Sequence, residues 1–200
     1  MDLVERAKRI LLQPGQEWQA INTETTTTAD LYRSYIVPLA AIGPVASIIG
    51  MSVVGVSVPF FGTYRVPFGT AVGHAVVSYV LTLVGVYVLA LIINALAPTF
   101  AGEKNDMQAL KVAAYASTAA WVAGVFSLIP ALSVLGILGL YSLYLLYLGL
   151  PILMKAPQEK ALGYTAVVIV AAIVIFAAIG VVSGAFITYP SPTMRMPGMK

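Results

Sequence analysis

A chain of 200 residues that is 60% hydrophobic and only 10% charged, with a mean hydropathy of +0.91, is far from the roughly 25% charged content of soluble domains. Composition therefore excludes a soluble globule and predicts an integral membrane protein. The absence of cysteine excludes disulfides, thiolate metal sites and cysteine nucleophiles. The net charge of +3 does not argue for nucleic acid, because the basic residues flank apolar runs, where they set orientation and meet anionic headgroups.

Residues 1–34 form a mostly polar N-terminal segment. The first long apolar run starts at Tyr35, too late and too long for a signal-peptide core, so no cleavable signal is expected. Leu3, Val4, Ala7, Ile10 and Leu11 recur at helical spacing, with Glu5, Arg6, Lys8 and Arg9 between them. This predicts a short amphipathic, interfacial helix with a basic polar face; a docking helix for a soluble partner is the alternative. Pro14-Gly15 ends it, and Pro14 can start a second short turn carrying Trp18, an interfacial anchor, and Ile21. The threonines Thr25 to Thr28 read as a linker, with Thr28 or Asp30 capping the next helix.

Five spans follow, at about 35–57, 70–96, 109–129, 132–154 and 164–187, with a flexible tail at 188–200. Pro38 lies in the first turns of span one, and Pro44 kinks it. The loop after it carries Arg65 and the aromatics Phe60, Phe61, Tyr64 and Phe68 at interface depth. Span two holds His74 and the amide Asn94. His74 reads as an interfacial histidine hydrogen-bonded to a neighbouring helix, because no Asp, Glu or second His lies within a span to partner it.

Val112 to Met154 is a run of 43 residues without a charge, too long for one span and right for two. Pro130 disfavours helix at Ile129, so the run folds as a transmembrane hairpin turning there, with Ser133 as a cap for the returning helix. Tyr141, Tyr144 and Tyr147 fall on one face of span four. They either bond across helices or line a ligand path that Tyr115, Ser117 and Thr118 of span three could face. Gly69 with Gly73, Gly180 with Gly184, and Gly136 with Gly139 allow close helix approach, read as packing within the chain in preference to dimerisation.

Five spans put the termini on opposite sides. With the N-terminus inside, eight of the 11 basic residues are cytoplasmic, leaving Arg65, Arg195 and Lys200 outside. The positive-inside rule thus predicts a cytoplasmic N-terminus and an external C-terminus. All eight acidic residues also fall on the cytoplasmic side, where a soluble partner would dock. No hydrolase, metal or phosphate-loop motif surrounds His74, so no catalytic residues, cofactor or metal site are predicted. Met194, Met196 and Met199 are soft ligands in a floppy tail, too weak a signal for a copper site.

The order of Asp30-Leu31-Tyr32, Tyr35-Ile36-Val37-Pro38-Leu39, Ala114-Tyr115-Ala116-Ser117-Thr118, Leu140-Tyr141-Ser142-Leu143-Tyr144 and Gly163-Tyr164-Thr165 resembles the Yip-one (Ypt-interacting protein) domain family, in its bacterial inner-membrane branch of the YohC type. The resemblance runs from Pro14 to Ile187 and implies five spans with a cytosolic N-terminus. Eukaryotic members are linked to Rab GTPases, but here Arg33-Ser34 follows Asp30-Leu31-Tyr32 where they have Gly-Pro, and a bacterium has no Rab cycle. The expectation is therefore an all-α five-helix membrane bundle, non-enzymatic, whose partners are the lipid bilayer and a membrane or cytoplasmic protein, a second copy among them. The rival is a small permease or channel for a weakly polar solute, lined by the span-three and span-four tyrosines.

Overall fold

The computed structural model describes residues 2–58 and 62–185. Two short helices, α1 (Leu3–Leu12) and α2 (Pro14–Thr23), fold on each other as a hairpin. Five helical columns follow, each long and apolar enough to cross a membrane: α3 (Thr28–Val54), α4 (Phe68–Phe100), α5 (Asp106–Leu128), α6 (Pro130–Leu153) and α7 (Gln158–Gly184). Between α3 and α4 the backbone forms a small antiparallel ribbon, Val56–Val58 against Gly62–Tyr64. That ribbon apart, the described residues make an all-helical bundle, and the chain is a multi-pass membrane protein. Phe60 and Phe61, and the tail methionines Met194, Met196 and Met199, lie outside the described residues.

The start of α3 is set by a reciprocal cap at Thr27, one residue before the expected one. The Thr27 hydroxyl accepts from the Asp30 amide at 3.1 Å and donates to the Asp30 carboxylate at 2.6 Å. Prolines shape the column that follows. Pro38 has no N–H to give the Ser34 carbonyl, and the turn before it widens to π winding over Tyr32–Ile36. The helix breaks again at Ala41, where the Val37 carbonyl accepts the Tyr79 hydroxyl of α4 at 3.0 Å.

α4 and α7 lie antiparallel. The Tyr164 hydroxyl bonds the Ile93 carbonyl near one end, and His74 Nδ1 meets the Ser183 carbonyl at 2.9 Å near the other. Tyr164→Phe should lower stability by about 1 kcal/mol, read as an earlier unfolding midpoint in a denaturant titration of the detergent-solubilised protein. Asn94 braces the turn into α5: its carbonyl accepts from the Asn105 amide at 2.8 Å while its amide donates to Asp106.

α5 and α6 form the hairpin expected at Pro130, with Ile129 extended between them. Ser133 does not cap α6. Pro130–Leu140 winds as a 3₁₀ helix, and the Ser133 hydroxyl instead donates back to the Pro130 carbonyl at 2.7 Å, the i−3 reach that this tighter winding favours. Gly139 approaches α5 closely: a methyl there would sit 3.2 Å from the Ala120 Cα. The Gly-x-x-x-Gly pairs correct the expectation of packing within the chain. Nothing lies within 4 Å of a methyl added at Gly69, Gly73, Gly180 or Gly184. The backbone contact is made instead by Gly43 and Gly50 of α3, which press on Gly124 and Ser127 of α5.

Candidate functional site

Trp18 is fully buried rather than anchored at an interface. It lies over Gly149 of α6, where an added methyl would stand 2.7 Å from the indole. The glycine thus makes the notch that receives the hairpin. Ile10 and Ile21 are buried with it, in one core with α3, α5 and α6. The apolar stripe of the amphipathic helix therefore packs on the chain's own bundle.

Charge goes in with it. Arg6 is 6% exposed and Glu17 4%, their side chains 2.6 Å apart. The other guanidinium arm donates to Glu24 at 2.5 Å, and Arg9 approaches Glu17 from behind at 3.5 Å. Burial works against the Arg6 charge, but the Glu24 hydrogen bond and the two facing carboxylates outweigh it and hold its pKa above the ordinary arginine value. Lys111, 2% exposed, donates to the main-chain carbonyls of Ile21 at 2.9 Å and Glu24 at 2.5 Å. One positive charge of α5 thereby satisfies the orphan carbonyls at the end of α2. Lys111→Met should leave both carbonyls unpaired and lower stability by about 1–3 kcal/mol, seen as earlier release of the hairpin in limited proteolysis.

Tyr115 and Thr118 form the floor of this arrangement with Tyr35. The Thr118 hydroxyl donates to the Tyr115 carbonyl at 2.7 Å, so the Tyr35 hydroxyl must donate to Thr118, also at 2.7 Å. The Tyr35 and Tyr115 rings pack at 4.4 Å, and the Arg6 guanidinium stands 5.8 Å from the Tyr115 ring centre. Above this floor opens a polar cavity of about 510 Å³, lined by Leu3, Arg6, Thr23, Glu24, Thr25, Thr26, Leu31, Ser34, Tyr35 and Tyr115.

The six residues singled out in the sequence therefore separate. Tyr115 and Thr118 share the site, but with Tyr35 of α3 as their partner. The Tyr141 and Tyr144 rings meet at a tilt, 5.4 Å apart, on the outside of α6, and Tyr141 donates to the Leu11 carbonyl of α1 at 3.1 Å. Tyr147 is half-buried, and His74 belongs to the far end of the bundle. None of these four lines the polar cavity. Ser117 turns away from it, donating to the Ala113 carbonyl at 2.7 Å within α5.

Arg6, Glu17 and Lys111 were missed, although spacing carried a signal. Arg6 stands three residues after Leu3 and four before Ile10, on the apolar stripe itself; Glu17 stands four before Ile21. A charge placed on an apolar face needs a buried partner, and each supplies the other's. Among the described residues, no three His, Cys, Asp or Glu side chains gather as a metal site. The arrangement holds a folded segment and presents a polar, hydrogen-bonding recess.

No curated protein and no solved structure matches the chain. A family model, the Yip1 domain, matches residues 8–179, which takes in α2, the columns α3 to α6 and most of α7. The chain belongs to the Yip1 domain family.

Proposed function

We propose that the chain is a non-enzymatic protein of a bacterial inner membrane, with a cytoplasmic N-terminus and a periplasmic C-terminus, that organises the membrane or scaffolds partner proteins. One observation carries this reading: three charged side chains are buried to seat the amino-terminal hairpin on the bundle, forming a recess lined by Tyr35 and Tyr115, with the buried Thr118 holding the Tyr35 hydroxyl. A floor of packed aromatic rings suits recognition better than passage. The permease reading requires the tyrosines of α5 and α6 to line one path, and here they face different surroundings. Glu103, Lys104 and Lys155, the charged residues of the α4–α5 and α6–α7 loops, lie at the same end of the bundle as the recess, where a membrane or cytoplasmic partner, or a second copy, would dock.

The test is affinity capture of the full chain in mild detergent, in parallel with an Arg6→Leu variant. A protein recovered with the wild type and lost with the variant supports the proposal. Recovery of nothing above control, together with solute flux in proteoliposomes that Tyr35→Phe and Tyr115→Phe abolish, would replace it with transport.

A further inference from the structure

The amino-terminal hairpin does not lie across the end of the bundle. α1 packs on the Thr118–Ala123 segment of α5, and its carboxyl end at Leu11 receives the Tyr141 hydroxyl. These are residues of the bundle's middle. Ser117 and Trp121 share a cleft with Gly85, about half way along α4, and with Ile175, about two-thirds of the way along α7. At 1.5 Å per residue, Thr118 lies about 18 Å inside the Asp106 end of α5.

Despite that depth, the hairpin's outer face is mostly polar. Glu5, Lys8, Gln13, Gln16 and Gln19 are all exposed, and Val4 and Leu12 are the large apolar side chains exposed with them. Hydrocarbon bordering such a face would strip its charges of water at high cost. The exposed apolar belt shows the same asymmetry. On α4 exposed apolar side chains run from Phe68 to Leu91, about 35 Å at helical rise. On α3, beside the hairpin, they run only from Val37 to Val54, about 25 Å. On α6 the exposed aliphatic run stops at Leu140 and the exposed pair Tyr141 and Tyr144 follows, the residue type that settles at a boundary between water and hydrocarbon. A hydrocarbon core of about 30 Å suits the α4 flank and is too thick for the hairpin flank.

We propose that the hairpin is a wedge in the leaflet on the amino-terminal side. It excludes acyl chains from the flank between α3 and α6 and draws phosphate headgroups down to the level of Tyr141, with Lys8 and Arg33 as exposed cations to meet them. The ligand of this surface is the lipid leaflet itself, and the outcome is a bilayer thinned and tilted on one side of the molecule. This reading gives a physical means to the membrane-organising role proposed above.

The chain has no cysteine, so introduced ones can be labelled singly. Full-length protein with Lys8→Cys or Val84→Cys, the latter at matching depth on α4, is spin-labelled and placed in phosphatidylethanolamine–phosphatidylglycerol vesicles. Seating of the hairpin is checked with a bismaleimide on a Leu11→Cys, Tyr141→Cys pair. The wedge expects cross-linking, a label at position 8 relaxed more by a water-soluble nickel complex than by oxygen, and the reverse order at position 84. A hairpin that does not cross-link overturns it, as does a cross-linked hairpin whose label at 8 responds mainly to oxygen. A variant with Glu5, Lys8, Gln16 and Gln19 all changed to Leu should in addition move from thinner towards thicker bilayers when offered both; an unchanged preference counts against thinning. No readout involves a protein partner, so failure here and failure of partner capture are separate results.

Discussion

Gly50→Ala should separate α3 from α5 and remove about 3 kcal/mol or more of stability, close to two orders of magnitude in the folding equilibrium. The added methyl would stand 2.0 Å from the Ser127 carbonyl oxygen, and that obstacle is main chain, which cannot rotate aside. Two turns earlier on α3 the same helices meet at Gly43 and Gly124, where a methyl on Gly124 would lie 2.8 Å from the Gly43 Cα. Neither helix can slide to relieve one contact without closing the other. The effect reads out as a lowered unfolding midpoint in detergent and as fluorescence of Trp121, which sits on α5 one turn before Gly124. Gly69→Ala and Gly180→Ala are the controls. Both sites open into free space, and exchange of glycine for alanine within a helix should leave stability unchanged or raised by up to about 1 kcal/mol. If all three substitutions behaved alike, the close approach of α3 and α5 would be wrong.

Arg6→Leu should undo the seating of the hairpin. It removes the nearest partner of a buried carboxylate, and breaking a buried pair from one side typically costs about 3–5 kcal/mol. Glu17 would keep Arg9 at 3.5 Å, which moderates the loss, and Glu24, partly exposed, can find water. The reporter is Trp18: once the hairpin leaves, the indole enters water, its emission shifts to the red and acrylamide quenches it. The double variant Arg6→Leu, Glu17→Leu gives the sharper result. With both charges gone the apolar face of the hairpin becomes continuous, and most of the lost stability should return. A double variant as unstable as the single one would mean that Arg6 acts through its bulk or its contact with Tyr115 rather than through Glu17.

Which features the sequence revealed follows from how far each depends on distant partners. The membrane-crossing columns depend on local apolar density, so α4 to α7 are visible in composition alone, and Pro130 marks its turn because the constraint it imposes is carried by its own ring. The start of α2 at Pro14 is legible for the same reason. The seating of α1 is not. Reading Glu5, Arg6, Lys8 and Arg9 together as one polar face treats charge as a sign of exposure, whereas Arg6 finds Glu17 and Glu24 across a turn, 11 and 18 residues away. Lys111 is one of the eight basic residues that the charge count places on the cytoplasmic side, and nothing in its spacing marks it as buried. Its burial is decided by carbonyls of α2 that no periodicity reveals. The tyrosine stripe was legible only in part: a spacing of three puts residues on one face without saying what the face meets, and Tyr141 bonds across helices to the carbonyl of Leu11.

The lysine in α5 also constrains how the chain is assembled. Its two carbonyl partners were made long before it, the Ile21 oxygen 90 residues earlier, and they sit in a segment that has no bundle to rest on until α5 is in place. During synthesis the amino-terminal hairpin must wait at the membrane surface with Arg6 and its carboxylates hydrated, while two spans enter without it. Only the arrival of the third supplies Tyr115 and Lys111, and only the fourth brings the Gly149 notch for Trp18. The first part of the chain to be made is thus among the last to be fixed, and a ribosome-bound chain ending before α6 should still leave that hairpin open to protease.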